Sequence, residues 1–372
     1  MNKRISFAGP SITDKEITYV NDAIRNGWYE NYDSHIVRLE RAFAEYIGVR
    51  YAIATHCCTQ ALHLAAASLG LTVGDEVIVP EISWIATAYS IIYTGATCVF
   101  VDVDRDSWTI DPDAIRKAIT PKTKAIMLVH TFGHPAAMDE IMEIAAKHRL
   151  YVIEDAAPAI GAEYKGKKVG SFGDIACFSF QGAKMTVSGE GGMYVTDDEQ
   201  VYKKAKCLAS MGRTDSKAVF WSDMLGYQYT IGNLTAALAL AQLERVEELL
   251  ERKRTIFGWY EQRLHGVPGI KLMTEKEHCK SSYCYPSILL QPSIEADRDW
   301  IIDQLKQHNI HCRPVFPRMS RFPLWNANLD HPVAQMAEER GISLPSAANL
   351  DEQDIEDVCQ QLLRLIANYP QG

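Results

Sequence analysis

Between residues 50 and 200 the chain alternates short, almost uninterrupted apolar runs with segments of helical periodicity, a rhythm that leaves few folds open. The runs at 51–54, 76–79, 98–103, 125–129, 151–154, 175–180 and 192–195 read as strands. Apolar residues at helical spacing occupy 59–69, 84–93, 113–119 and 139–147 between them. Strands apolar on both sides must be covered on both faces, which a mainly parallel sheet between helices provides. The expected fold class is therefore α/β.

After residue 200 the rhythm changes. A charged helix is expected over 234–254, with one apolar stripe running through 242–250. Beyond it, 283–290 and 311–315 read as strands and 296–308 and 351–367 as helices. At 372 residues the chain exceeds what one core usually serves. The expected division is a large domain, 1–250, and a smaller α+β domain, 251–372.

Composition narrows the function classes. A formal net charge of -9 disfavours a nucleic-acid partner, yet it leaves room for a small anion in a locally positive pocket. The opening Met1-Asn2-Lys3-Arg4-Ile5-Ser6 lacks the apolar core of a signal peptide, and no apolar run is long enough to span a membrane. The nine cysteines show no zinc-site spacing, and Cys98, Cys177 and Cys312 sit among apolar residues. Cys57 and Cys58 are adjacent, which suits neither chelation nor an unstrained disulfide. Reduced thiols in a cytoplasmic protein are the expectation.

In an open parallel sheet, ligands bind where strands end at their carboxyl edge. Asp155 closes one such run. Another, Phe178-Ser179-Phe180-Gln181-Gly182-Ala183-Lys184, leads from its strand into a loop bearing Lys184. This pair suits pyridoxal 5'-phosphate (PLP). The pyridine nitrogen of that cofactor needs a carboxylate to hold its proton, the expected role of Asp155. Its aldehyde needs an amine, and Lys184 supplies one that can afterwards move protons between carbons. The turn His56-Cys57-Cys58-Thr59 enters a helix and directs N–H groups and the Thr59 hydroxyl at an anion, with Ser179 adding a second hydroxyl. Trp84, at the end of the next strand, is expected to stack on the pyridine ring. His130 and His134 stand four apart, but Gly133 and Pro135 break the helix that a metal pair would need, so no metal is expected. Each residue alone has an ordinary reading; their order along the chain gives the constellation its weight.

The motifs Ala61-Leu62-His63-Leu64, Gly74-Asp75-Glu76-Val77-Ile78-Val79-Pro80, Glu154-Asp155-Ala156-Ala157, Phe178-Ser179-Phe180 with Lys184, Gly189-Glu190-Gly191-Gly192 and Ala241-Gln242-Leu243-Glu244 resemble the DegT family of sugar aminotransferases. The resemblance covers essentially the full length. It implies the PLP-dependent transferase fold type I, like aspartate aminotransferase. Arg313-Pro314-Val315-Phe316 and Trp259-Tyr260-Glu261 are similar to the perosamine-synthase subgroup, which aminates the 4-keto group of a GDP-linked deoxysugar from glutamate. The family further implies a homodimer whose active sites are completed by a partner loop, here around Gly226-Tyr227-Gln228-Tyr229. Gln228 would reach the partner's cofactor phosphate.

The chain also departs from the family pattern. Cys58 replaces the usual Gly before the phosphate-binding Thr, and Pro158 replaces a polar residue. Gln228 and Thr230 stand for Asn and Arg, Ser320 stands for a His, and Glu30-Asn31-Tyr32-Asp33 stands where relatives carry a Ser-rich segment. The leading expectation is an aminotransferase moving nitrogen from glutamate to a keto-sugar nucleotide for lipopolysaccharide or related amino-sugar synthesis. A sugar 4-ketone comes first, then a 3-ketone, then a keto-cyclitol. A PLP-dependent sugar dehydratase is the second enzyme reading, against which Lys184 counts, since such relatives carry His there. A non-catalytic PLP-binding paralogue is the third.

Overall fold

The computed structural model describes residues 3–214 and 220–370, so the first two residues of the N-terminal stretch lie outside it. The chain enters through α1 (Asp14–Asn26) and α2 (Ser34–Ile47), then β1 (Tyr51–Thr55), α3 (Cys58–Leu69), β2 (Glu76–Pro80), α4 (Ala86–Ile92) and β3 (Thr97–Val101). It continues with α5 (Pro112–Ala118), β4 (Thr123–Val129), α6 (Met138–His148), β5 (Tyr151–Asp155), the short strands β6 (Glu163–Tyr164) and β7 (Lys167–Lys168), β8 (Ile175–Ser179) and β9 (Gly192–Thr196). Next come α7 (Glu199–Ala209), α8 (Asn233–Leu243), α9 (Val246–Leu264), β10 (Ile270–Leu272), β11 (Cys279–Lys280) and β12 (Ser287–Leu290). The last elements are α10 (Arg298–Gln307), β13 (Arg313–Pro314), α11 (Pro332–Arg340), β14 (Gly341–Ser343) and α12 (Glu352–Ala367).

A seven-stranded sheet in the order β1-β9-β8-β5-β4-β2-β3 forms the centre. All pairings are parallel except those of β9, which runs antiparallel to both neighbours. The pleat sends alternate residues to opposite faces. Val77 and Val79 of β2 join α3, α4 and α7 in one core, while Ile78 joins α5 and α6 in another. Toward the β1 edge, Phe178 and Val195 pack under Phe43 of α2 and Leu240 of α8. The expected mainly parallel, doubly covered sheet is what the chain forms.

The charged helix expected over 234–254 is two helices. Glu244 and Arg245 separate α8 from α9, and Arg245 leaves helical geometry (φ -114, ψ 11). Its guanidinium is held by Glu16 Oε1 at 2.7 Å and by the Ser11 carbonyl at 3.2 Å, a tertiary anchor that periodicity does not reveal. The strand expected over 311–315 is likewise only Arg313–Pro314.

The second unit is an antiparallel sheet in the order β10-β12-β14-β13, packed against α9, α10 and α12. α9 serves both units: Leu249 and Leu250 lie in the core of the large sheet, Ile256, Phe257 and Tyr260 in that of the small one. We propose that the boundary between domains 1–250 and 251–372 falls within this helix. The N-terminal stretch crosses over. Ile5 pairs with Ile310 and is buried in the second unit's core, and Phe7 stacks on Tyr285 with ring centroids 4.9 Å apart.

Candidate active site

At the carboxyl edge of the large sheet, beneath the second unit, lies a cavity of about 460 Å³. Cys58, Thr59, Trp84, Asp155, Ser179 and Lys184 line it together, with Pro158, Phe7, Tyr285 and Arg313 also on its wall. Six of the seven residues expected at a cofactor site are therefore brought to one chamber. Gln228 is not among them.

Asp155 ends β5 and is 4% exposed. Its Oδ2 accepts the Thr87 hydroxyl at 2.7 Å, and Thr87 in turn lies 2.8 Å from the Ser83 hydroxyl. Oδ1 accepts the Ala157 N–H at 3.1 Å. Burial pushes the Asp155 carboxyl above the usual carboxylate range, opposed by the Thr87 and Ala157 bonds and by the positive charge of Lys184. A buried carboxyl so disposed gains most from a further cationic neighbour.

Lys184 sits in the connection between the antiparallel strands β8 and β9. Its N–H donates to the Gln181 carbonyl at 2.8 Å, and Gly182 N–H donates to Gly189 O at 3.0 Å, which closes the loop on itself. Its ammonium lies 5.7 Å from the centroid of the Tyr285 ring. The Tyr285 hydroxyl donates to the Ala183 carbonyl at 3.0 Å, so one tyrosine from the second unit braces the lysine loop. Ser179, 3% exposed, closes β8 beside it.

The anion end is built by α3. Cys57 caps the helix from an extended conformation without a side-chain hydrogen bond, and Cys58 and Thr59 are its first residues. The leading N–H groups of a helix have no intrahelical partner and bind anions. β9 packs directly on this turn: a Cβ on Gly192 would meet Cys57 C and Cys58 N at 2.6 Å. Burial pushes the Cys58 thiol well above its ordinary pKa, so it is a neutral wall group.

Trp84 is 64% exposed at the rim and is tilted against Phe316, centroids 6.3 Å apart. Gln228 lies in a segment tied to its own chain by Tyr227 N–H to Leu208 O at 2.6 Å, and its amide donates to the Thr230 hydroxyl at 3.1 Å. Ser320 is fully buried away from the cavity, donating to Glu81 Oε1 at 2.7 Å; His331 Nδ1 reaches the same oxygen at 2.9 Å. Pro158 presents its ring to the cavity while its carbonyl accepts from Ser282 at 2.8 Å. His130 and His134 are engaged internally. His130 Nδ1 accepts the Ala136 N–H at 3.0 Å, so its Nε2 donates to Glu154 at 2.9 Å, and His134 Nε2 accepts the Lys276 N–H at 3.0 Å.

Sequence reading passed over Thr87, Ser83, Phe7 and Tyr285. The two hydroxyls had a signal: they are four residues apart where the chain enters α4 from the end of β2. The two aromatics are 278 residues apart in the chain, and nothing local announces them.

A carboxylate with a raised pKa, a primary amine, two hydroxyls and a helix N-terminus around one chamber fit the ring nitrogen, aldehyde and phosphate of PLP. Comparison with known proteins points the same way. A model of the DegT/DnrJ/EryC1/StrS aminotransferase family matches residues 10–363. The chain is 39% identical over 361 residues to GDP-perosamine synthase of Escherichia coli O157:H7, covering 97% of this chain and 98% of that one. It is 40% identical over 365 residues to GDP-perosamine synthase of Caulobacter vibrioides, with 96% and 97% covered. Among solved structures, the aminotransferase TlmJ from Streptoalloteichus hindustanus superposes with a TM-score of 0.93 at 27% identity, over 99% of this chain and 100% of that one. The PLP-form of Spr1654 from Streptococcus pneumoniae gives a TM-score of 0.92 at 27% identity, again over 99% and 100%.

Proposed function

The chain belongs to the DegT/DnrJ/EryC1/StrS aminotransferase family, and on that premise we propose that it transfers an amino group from glutamate to the 4-keto group of a GDP-linked deoxysugar. The protein is a PLP-dependent aminotransferase of fold type I. The observation that carries the catalytic reading is the convergence of Asp155 and Lys184 on one cavity with the N-terminus of α3 at its anion end. Full-length similarity to two GDP-perosamine synthases supports the sugar.

Bound PLP supplies the electron sink that lets a C–H bond break at the carbon bearing nitrogen. Asp155 would hold the proton on the ring nitrogen, and its carboxylate is kept in place by Thr87 and Ala157. Lys184 Nζ is the amine that would hold the cofactor through its aldehyde, and the same nitrogen would move a proton between carbons. Cys58, Thr59 and Ser179 would hold the phosphate through N–H and hydroxyl groups, and Trp84 and Phe316 stand at the rim of the chamber.

Gln228 acts on the partner's phosphate in this reading, and the protein is a homodimer. Support comes from Gln228 standing outside its own chain's cavity and from Phe220, Trp221 and Leu225, which are exposed on the segment leading to it. Nine unpaired cysteines agree with a reducing cytoplasm, and the proposed product serves amino-sugar synthesis for surface polysaccharide such as lipopolysaccharide. No helix among the described residues is long and apolar enough to cross a membrane.

The experiment runs both half-reactions separately. Protein loaded with PLP is mixed with glutamate while 2-oxoglutarate release and the cofactor's visible band are followed; GDP-perosamine is then offered as the reverse donor. Both should convert the cofactor, and Lys184→Ala should convert with neither. Loaded wild-type protein that is inert to glutamate sinks the transaminase reading. Activity with glutamate but not with GDP-perosamine sinks only the sugar.

A further inference from the structure

Arg313 differs from most other arginines of the second unit. Arg254, Arg263 and Arg318 are held by carboxylates, and Arg340 by backbone carbonyls. The Arg313 guanidinium makes no hydrogen bond and no ion pair among the described residues, although it lines the cavity. It lies 4.4 Å from the centre of the Phe7 ring. Phe7 stacks on Tyr285, and the Tyr285 ring faces Lys184. The aromatic pair thus stands between the two cations of the chamber. Backbone pairing of Arg313 with Ser343 fixes the origin of its side chain.

A planar guanidinium with five free donors matches a carboxylate in a two-pronged arrangement. Resting its stem and plane on an aromatic ring restricts its rotamers, so less freedom is lost when an anion arrives. Arg313 rests on Phe7 and Lys184 faces Tyr285, so the group that Arg313 receives is distinct from the one that meets the reacting nitrogen. A cavity of about 460 Å³ has the size of a small-molecule site and must hold the cofactor as well. A nucleotide would extend beyond it, whereas a dicarboxylate fits inside.

Resting on the aminotransferase reading, we infer that Arg313 binds the side-chain carboxylate of the amino donor and so selects glutamate. In the first half-reaction the remote carboxylate docks on Arg313 while the amino end faces Lys184. In the second, the site is vacated by 2-oxoglutarate and the sugar enters. Because the carboxylate does not change during reaction, its contact contributes uniformly to ground state and transition state and is expressed in KM.

The test uses full-length protein loaded with PLP. In Arg313→Met, which keeps the stem on Phe7, KM for glutamate should rise roughly ten- to a hundredfold, with kcat within about threefold of wild type. The Kd of glutarate, measured by calorimetry, should rise by the same factor, while that of GDP stays within about twofold. Arg313→Lys retains charge without the fork and should fall between the two. Unchanged glutarate and glutamate constants overturn the assignment, as does a loss confined to GDP. Wild-type protein that takes no nitrogen from glutamate overturns the transaminase reading instead, and glutarate affinity then still decides whether Arg313 is a carboxylate site.

Discussion

The Thr87 hydroxyl donates to Asp155 Oδ2 at 2.7 Å across 68 residues of sequence, joining the first turn of α4 to the end of β5. Burial raises the Asp155 carboxyl, and this bond is foremost among the contacts that oppose it. Removing it in Thr87→Val, with the shape preserved, should raise the Asp155 pKa further. The acid limb of the activity profile then moves to higher pH, and PLP affinity falls about tenfold, in line with one lost hydrogen bond to a charged group. Profiles of kcat/KM against pH for the two proteins decide it; coincident acid limbs would show that Thr87 does not tune the carboxylate.

Gly192→Ala tests the phosphate cradle. The added methyl meets the backbone of Cys57 and Cys58 at 2.6 Å, so the first turn of α3 must shift. Overpacking of this kind costs about 1–3 kcal/mol, and the N–H groups proposed to bind the phosphate move with the turn. The expected outcome is a lower Tm together with at least tenfold weaker PLP retention on dialysis. Unaltered retention at a lowered Tm would remove the turn from the cofactor site.

Glu81 ties the loop before Trp84 to the segment after β13. Its fully buried carboxylate accepts from the Ser320 hydroxyl and N–H and meets His331, while Met319 N–H donates to its backbone carbonyl. Glu81→Leu leaves these donors without an acceptor and should destabilise by about 2–4 kcal/mol. Urea unfolding reads the loss. Ser320→Ala should cost less, since His331 keeps its partner.

Acid lability should be traceable to Glu16. Burial pushes its carboxyl up, but bonds from Thr13 and Arg245 outweigh that and hold it at about 2. A carboxyl lowered on folding adds stability above its unfolded pKa, near 4.5, and that stability is lost as pH falls through about 2. The contribution is of order 3 kcal/mol. Urea midpoints measured from pH 7 down to pH 2.5 should converge for wild type and Glu16→Gln; parallel curves would contradict the assignment.

The sheet was readable because strands buried on both faces leave continuous apolar runs, as in 125–129 and 151–154. The direction of β9 was not, since an apolar run is the same read either way. The break at Arg245 escaped because its cause, Glu16 and the Ser11 carbonyl, lies more than 200 residues upstream. Asp155 and Lys184 could be picked out as residues that end or follow a strand. Their supports could not: Thr87 and Tyr285 look like ordinary members of apolar segments until the chain is folded. The same holds for Arg313, whose lack of a partner is a fact of three dimensions.

The pairing of Ile5 with Ile310 has a consequence for how the protein is made. Synthesis delivers the chain from its N-terminus, and domains fold as their residues emerge. Here residues made before the large sheet belong to the unit that is completed after it. The stretch around Ile5 and Phe7 must wait through some three hundred residues before β13 and α12 exist to receive it. A tag or short deletion at that end would leave the large sheet intact, yet it would unsettle the far unit's core and, through Phe7, the wall on which Arg313 rests.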